Sequence, residues 1–260
     1  MATTLPVISD EGVRAGLSRG PGGAHGNRTM MLAELSTLFA HSDVNATHEE
    51  LRSLVLDENI LLKSTAANRR EVLTRLGVMY GLRREIAVYR VLRYLWEQAE
   101  KDRPLLALLV ALGRDSLLRA TAPIVLEAPA GAEVTSVSMQ PMLEEAFPGQ
   151  YSAIGKGSVT RHAASSWTQS GHLIGRNPKS RALVQPGPSA VTMALWLGDL
   201  CGYRGLPLYE TFWIQTLDLS PSSVDALAID AHRRGWIDYR RLGDVLQISF
   251  GPLNRATGSE

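Results

Sequence analysis

Residues 155–176 read GKGSVTRHAASSWTQSGHLIGR and carry the clearest structural pattern in the chain. Ser158 is a favourable N-cap and Gly171 a favourable residue just after a helix end. The sequence therefore predicts a helix of about three turns between these two residues.

The two faces of this predicted helix differ in chemistry. Val159, Ala163 and Trp167 recur every four residues and predict a buried apolar stripe. The other face is small, polar and cationic, and it carries Arg161, Ser165, Thr168 and Gln169. One face is thus suited to packing and the other to binding.

A predicted β-hairpin follows the helix. Two short apolar runs, 172–176 and 181–185, flank the turn-forming pair Asn177-Pro178. A helix followed by a basic hairpin is typical of the winged-helix form of the helix-turn-helix. In that form the helix enters the major groove of DNA, and the hairpin contacts the backbone beside it.

The charge of this segment favours a polyanionic partner. Residues 146–198 contain no Asp or Glu, although the whole chain has a net charge of only +1. The predicted DNA-binding residues are Lys156, Ser158, Arg161, Ser165, Thr168, Gln169, Arg176, Lys179 and Arg181. Two other interpretations stay open, namely a helix that only packs and a winged helix that docks a protein.

The composition is that of an ordinary globular protein, with 260 residues, 45% hydrophobic and 20% charged. The single cysteine, Cys201, forms no internal disulfide and fits a reducing compartment. No apolar run reaches the ~18 to 20 residues of a membrane span, and the N-terminus has no secretion-signal pattern. We expect a cytoplasmic protein without a membrane partner.

The remaining periodicity predicts a mainly α fold with several modules. The expected segments are a disordered Gly-rich tail (1–26), an N-terminal helical bundle (27–130), a winged-helix-like module (131–187), a helical module with a small β-hairpin (188–254) and a short tail (255–260). The hairpin of the last module carries Arg240 and Arg241, so it is either a second wing or a small covering sheet.

A second group of cations lies in the predicted N-terminal bundle. Between Lys63 and Arg93 there are eight Lys or Arg residues and only two acids. The candidates for a second basic surface are Lys63, Arg69, Arg70, Arg83 and Arg84. Such cations also form ordinary solvated helix faces, and both interpretations stay open.

Three segments resemble the BrxA proteins of bacteriophage-exclusion (BREX) systems. They are the run DENILLKSTAANRR at 57–70, the helix 159–170 with its Trp167 and Gly171, and the run AIDAHRRG at 228–235. The resemblance implies an all-helical, non-enzymatic subunit with an N-terminal bundle like that of NusB. It also implies binding of double-stranded DNA and work beside a methyltransferase, an ATPase and other BREX components.

The sequence offers no catalytic signature. It contains no phosphate-binding loop, nucleophile elbow or zinc-protease motif, and its six histidines are scattered singly. Asp57 and Glu58 are adjacent and do not face each other on a helix, so they are a weak candidate metal site. We therefore expect no enzyme, cofactor or metal, and a DNA-binding accessory subunit of low sequence specificity. The alternatives are a sequence-specific winged-helix transcription regulator and a protein-docking scaffold.

Overall fold

The computed structural model describes residues 3–258 and is mainly helical, as predicted. Its helices are α1 (Asp10–Ala15), α2 (Leu32–Ala40), α3 (His48–Leu56), α4 (Ala66–Tyr80), α5 (Ala87–Gln98), α6 (Arg103–Arg114), α7 (Ser116–Ala120), α8 (Ala122–Leu126), α9 (Gln140–Ala146), α10 (Ala153–Gln169), α11 (Pro188–Leu200), α12 (Phe212–Gln215), α13 (Pro221–Arg233) and α14 (Gly251–Thr257). Its strands are β1 (Glu133–Val134), β2 (Leu173–Ile174), β3 (Lys179–Arg181), β4 (Asp238–Leu242) and β5 (Val245–Ser249). None of the helices within 3–258 is both long enough and apolar enough to cross a bilayer.

Local signals set the helix ends in the N-terminal half. Thr47 and Glu50 form a reciprocal capping box at the start of α3, and Thr65 caps α4. Pro104 lies in the first turn of α6. Every residue from Leu105 to Gly113 is buried, so α6 is the central helix of the core.

The prediction of a disordered tail over 1–26 is wrong for the described residues of that segment. Ser9 caps α1, and Ile8, Leu17 and Ala24 are buried in the main core. The segment contributes too few apolar residues to form a core of its own. It folds because these residues pack against the helices, and Met1 and Ala2 lie outside the described residues.

One continuous apolar core runs through all the predicted modules. It includes Ile8 near the N-terminus, α6 in the centre and Leu253 in α14. The tail predicted for 255–260 is also wrong in part, because α14 continues to Thr257. Residues 259 and 260 lie outside the described part of the chain.

The predicted helix around residue 160 exists but starts earlier. The hydroxyl of Ser152 accepts from the amide of Gly155, so α10 begins at Ala153 rather than after Ser158. Ser152 supplies the same cap as Ser158 would, and the helix continues through Gly155 and Gly157. Its end is as predicted, because Gly171 follows with a positive φ of 87°.

The C-terminal hairpin is confirmed and is held by a carboxylate. Antiparallel β4 and β5 pair from Asp238↔Ser249 to Leu242↔Val245. Asp225 of α13 accepts from the hydroxyls of Tyr209 and Tyr239, each at 2.7 Å. It also forms an ion pair with Arg241 of β4 at 2.8 Å, which fixes the hairpin against α13.

Candidate nucleic-acid interface

Helices α7, α9 and α10 pack together around a small apolar cluster. Its buried members are Leu117, Ala120, Leu143, Phe147 and Val159. On its other apolar positions α10 buries Ala163 and Trp167, whose indole N–H donates to the Thr121 hydroxyl at 2.9 Å. The predicted buried stripe of α10 is therefore confirmed.

A three-stranded sheet holds the hairpin beside α10. The strand order is β1-β3-β2, with β3 antiparallel to both neighbours. The predicted hairpin around Asn177-Pro178 is confirmed, with strands shorter than the apolar runs suggest. The ammonium group of Lys179 donates to the Thr168 hydroxyl at 2.8 Å and so joins the hairpin to α10.

A groove of about 720 Å³ lies between α10, the hairpin and the segment that follows β1. Its lining residues are Val134, Thr135, Ser136, Val137, Arg161, Ala164, Arg176, Asn177 and Lys179. Three of these residues are cations and none is an acid. Because like charges converge without a carboxylate, the groove carries a positive potential suited to a phosphate backbone.

Three predicted contacts thus meet in one place, namely Arg161, Arg176 and Lys179. Arg161 and Arg176 are exposed. Ser158, Ser165 and Thr168 are half-buried, and the helical repeat places them on the same side of α10 as Arg161. The Thr168 hydroxyl donates its proton to the Ala164 carbonyl, and its oxygen accepts the hydrogen bond from Lys179.

Arg181 does not project from the hairpin to phosphates, contrary to the prediction. Its side chain has no solvent exposure and forms an ion pair with Asp218, while its guanidinium also donates to the Ala182 carbonyl. The same carboxylate accepts from the Val184 amide at 3.0 Å. Arg181 is the buried last residue of β3, and its ion pair with Asp218 turns it toward the core.

Gln169 is also turned away from the groove. Its side-chain carbonyl accepts from the Leu32 amide at 3.1 Å, and its amide group donates to the Thr29 hydroxyl at 3.0 Å. The Leu32 amide has no acceptor within its helix, because α2 starts at Leu32. Gln169 therefore provides the hydrogen-bond acceptor for the first amide of α2, and its side-chain amide is not presented to a ligand.

Lys156 is compensated locally. Its ammonium group lies 2.7 Å from Glu144 of α9. The hydrogen bond from Lys156 holds the pKa of the Glu144 carboxyl below its ordinary value. Lys156 therefore contributes less net positive charge than Arg161 or Arg176.

The second set of predicted cations is divided between two ends of the bundle. Lys63 pairs with Glu34 at 3.0 Å, and Arg69 donates to the Leu56 carbonyl at 2.6 Å. Arg83 and Arg84 follow the other end of α4, a helix of 15 residues that spans about 22 Å. Arg70, Arg83 and Arg84 are exposed, and Arg84 donates to the Asn45 carbonyl.

A buried polar chain lies behind α10 and was not foreseen. His25 bridges the carboxylate of Asp115 and the hydroxyl of Ser166, with both distances 2.8 Å. The hydroxyl oxygen of Ser166 also accepts from the Met30 amide, and its proton is donated to the His162 carbonyl. This order of side chains is that of a hydrolase triad, but His25 and Ser166 are inaccessible and the hydroxyl is fully engaged.

Several groups at the site become important only through contacts with residues far away in the chain, and no local pattern predicts them. Asp218 lies 37 residues from its partner Arg181. The residues after β1 line the groove. The sequence does not predict them, because a strand of two residues is too short to show a periodic pattern. Ile154 is exposed on α10. A prediction that started this helix at Ala153 would have placed Ile154 on the same side as Arg161.

No protein-family model matches the chain, and a search of curated proteins finds no significant relative. Among residues 3–258, no three His, Cys, Asp or Glu side chains are arranged to hold a metal ion. The interface is therefore interpreted from its own geometry and charge.

Proposed function

We propose that this protein binds double-stranded DNA through the groove between α10 and the β2–β3 hairpin. The observation that carries the proposal is the convergence of Arg161, Arg176 and Lys179 in a groove without a carboxylate. A DNA backbone presents a continuous row of phosphates, and cations supply most of the affinity for it. In this arrangement α10 lies in the major groove, and the hairpin contacts the phosphates beside it.

The order of elements supports this mode of binding. Helices α7 and α8, strand β1, helices α9 and α10, and strands β2 and β3 follow one another, and the sheet order is β1-β3-β2. Apart from α8, this order is similar to that of a winged-helix unit, in which the last helix would recognise DNA and the β2–β3 hairpin would be the wing. Lys179 links the wing to α10 through Thr168 and so fixes the width of the groove.

Low sequence specificity follows from the chemistry of the proposed contacts. Arg176 and Lys179 would contact phosphates, which are the same in every sequence. Fewer groups remain for base recognition, because Gln169 is engaged with residues 29 and 32. With the resemblance to BrxA proteins, this favours a non-enzymatic DNA-binding subunit of a BREX system, beside its methyltransferase and ATPase, over a transcription regulator with one operator.

The decisive experiment is fluorescence anisotropy of a labelled duplex of ~30 bp titrated at several salt concentrations. If each of the three cations of the groove, Arg161, Arg176 and Lys179, neutralises one phosphate charge, the log–log salt slope is about −2.7. The double variant Arg176→Glu with Lys179→Glu should weaken binding and flatten the slope toward about −1.

The matched control is Arg83→Glu with Arg84→Glu, which changes the net charge equally on the exposed surface after α4. It should leave the slope near the wild-type value. Equal losses in both variants would indicate a non-specific charge effect, and loss in the control alone would move the DNA site to the bundle. No binding at low salt would reject the proposal.

A second candidate function is protein docking through the tip of the β4–β5 hairpin. Leu242 and Val245 pair at the end of this ladder and are 86% and 71% exposed. Two adjacent exposed aliphatic side chains on a fixed hairpin favour a contact with another macromolecule. If DNA binding is absent, Leu242→Ser with Val245→Ser is the variant to test for loss of a protein partner.

A further inference from the structure

Ile154 is the exposed aliphatic side chain on the outward side of α10. It is 85% exposed, whereas Val159, Ala163 and Trp167 of the same helix are buried. Ile154 lies seven residues before Arg161, which places both on one side of the helix about 10 Å apart along its axis. Ser158, Ser165 and Thr168 continue the same side toward the hairpin.

We infer that Ile154 contacts the methyl groups of thymine in the major groove, an inference that rests on the DNA-binding mode proposed above. When α10 lies in the major groove, its outward side faces the edges of the bases. Serine, threonine and arginine can exchange hydrogen bonds with these edges, but isoleucine cannot. The thymine C5-methyl group is the apolar group that the major groove offers, so it is the one favourable partner for this side chain.

Charge complementarity favours DNA over an apolar protein as the occupant of this side. Residues 146–198 contain no acid, Glu144 of the preceding helix is paired with Lys156, and the exposed Arg161 lies on the same side as Ile154. A docking surface for an apolar partner would be expected to carry several aliphatic residues at helical spacing. Ile154 is the one large aliphatic residue exposed on α10 and stands on the same side as Ser158, Arg161 and Ser165, while Val137, 67% exposed, lines the groove from the segment after β1.

The consequence is a preference for thymine-containing sites without a sharp consensus. One apolar contact distinguishes a methyl group from its absence, but it does not define a longer sequence. The shared phosphate contacts then keep binding to other sequences measurable. The preference is therefore superimposed on general DNA binding and can be measured separately from it.

The test compares two duplexes that differ only in the thymine methyl group. A ~30-bp duplex and its copy with every thymine replaced by deoxyuridine are titrated with the wild type, Ile154→Ala and Leu242→Ala. Leu242 is 86% exposed on another hairpin and is the matched control. Both substitutions remove an exposed aliphatic side chain, and alanine favours the helical conformation at position 154.

The wild type and Leu242→Ala should bind the thymine duplex about fourfold more tightly for each methyl group contacted. For Ile154→Ala the ratio between the two duplexes should be near one, with the salt slope unchanged. Equal binding of both duplexes by the wild type would overturn the inference while leaving the DNA-binding proposal intact. A ratio retained by Ile154→Ala would also overturn it, and no binding to either duplex would reject both.

Discussion

The Nδ1 atom of His25 lies 2.8 Å from Oδ2 of Asp115, and both side chains are buried. Asp115 also accepts from the amides of Leu117 and Leu118 and thereby caps α7. The Nε2 atom of His25 forms a hydrogen bond with the hydroxyl of Ser166 in α10. This pair therefore connects the N-terminal segment to two helices of the proposed DNA-binding unit.

The Asp115 carboxylate should stabilise the fold least in acid. Burial raises its pKa, but the charge and hydrogen bonds of His25 and the amide donors of α7 outweigh burial, so the pKa lies below its ordinary value of 3.8. Such a carboxylate contributes stability above its ordinary pKa and loses it as pH falls through the folded-state pKa. Urea unfolding of the wild type and Asp115→Asn should differ by about 3 kcal/mol at pH 5 and by less below pH 4. A difference at pH 2.5 as large as that at pH 5 would contradict this account.

Gly23 should not tolerate a side chain. A Cβ atom at this position would lie 2.1 Å from the Asp115 carboxyl carbon, whereas one at Gly20 would meet no atom within 4 Å. Gly23→Ala should lower the free energy of unfolding by about 1 to 3 kcal/mol, because buried atoms must shift. Chemical denaturation checks the value, and Gly20→Ala is the control that should remain near the wild type. Equal stability of the two variants would show that residues 20–23 do not pack as described.

Removal of Arg181 should damage the fold rather than the DNA contact. Arg181→Ala leaves the carboxylate of Asp218 buried without its partner and should cost about 3 to 5 kcal/mol of unfolding free energy. The double variant with Asp218→Ala should be less destabilised than the sum of the two single variants, because both remove the same interaction. Calorimetry of the four proteins provides this comparison. Additive losses, or weaker DNA binding by fully folded Arg181→Ala, would restore the phosphate-contact interpretation.

His172 should make the fold less stable as the pH falls from neutral toward 4. Burial lowers its pKa from 6.5 to about 4, while its Nε2 proton is donated to the Thr216 carbonyl at 2.8 Å. Between pH 6.5 and 4 a histidine whose pKa is lowered by folding is neutral in the fold and charged in the unfolded chain. Its contribution to the free energy of unfolding is therefore fully present above pH 6.5 and declines between pH 6.5 and 4. The urea midpoint measured across this range should fall less for His172→Gln than for the wild type. The exposed His41→Gln is the control and should keep the wild-type slope.

Local interactions made several elements predictable from the sequence. The caps at Thr47 and Thr65, the helix end at Gly171 and the apolar stripe ending at Trp167 depend on groups a few residues apart. The hairpin around Asn177-Pro178 follows from turn chemistry in the same way. The start of α10 was missed because Ser152 and Ser158 are both suitable caps, and only the packing of the preceding turn selects between them.

The candidate interface was only partly predictable. Arg161, Arg176 and Lys179 converge as expected, because a helix and the hairpin after it must lie side by side. The same pattern could not separate Arg181 from them, since a cation on a short strand faces solvent or core according to what lies behind the sheet. Asp218 lies behind the sheet and pairs with Arg181, and no local sequence pattern predicts this contact.

The sequence by itself determined the mainly helical fold, the helix with its buried stripe, the hairpin after it and the absence of acids from 146–198. These features depend on hydrogen bonds and side-chain periodicity within a few residues of chain. Only the tertiary structure decided that the Gly-rich N-terminal segment is folded, that Arg181 and Gln169 are internal, and that Ile154 is exposed. Each of these outcomes depends on a partner far away in the chain, and whether a side chain is buried is settled by the elements that pack against it.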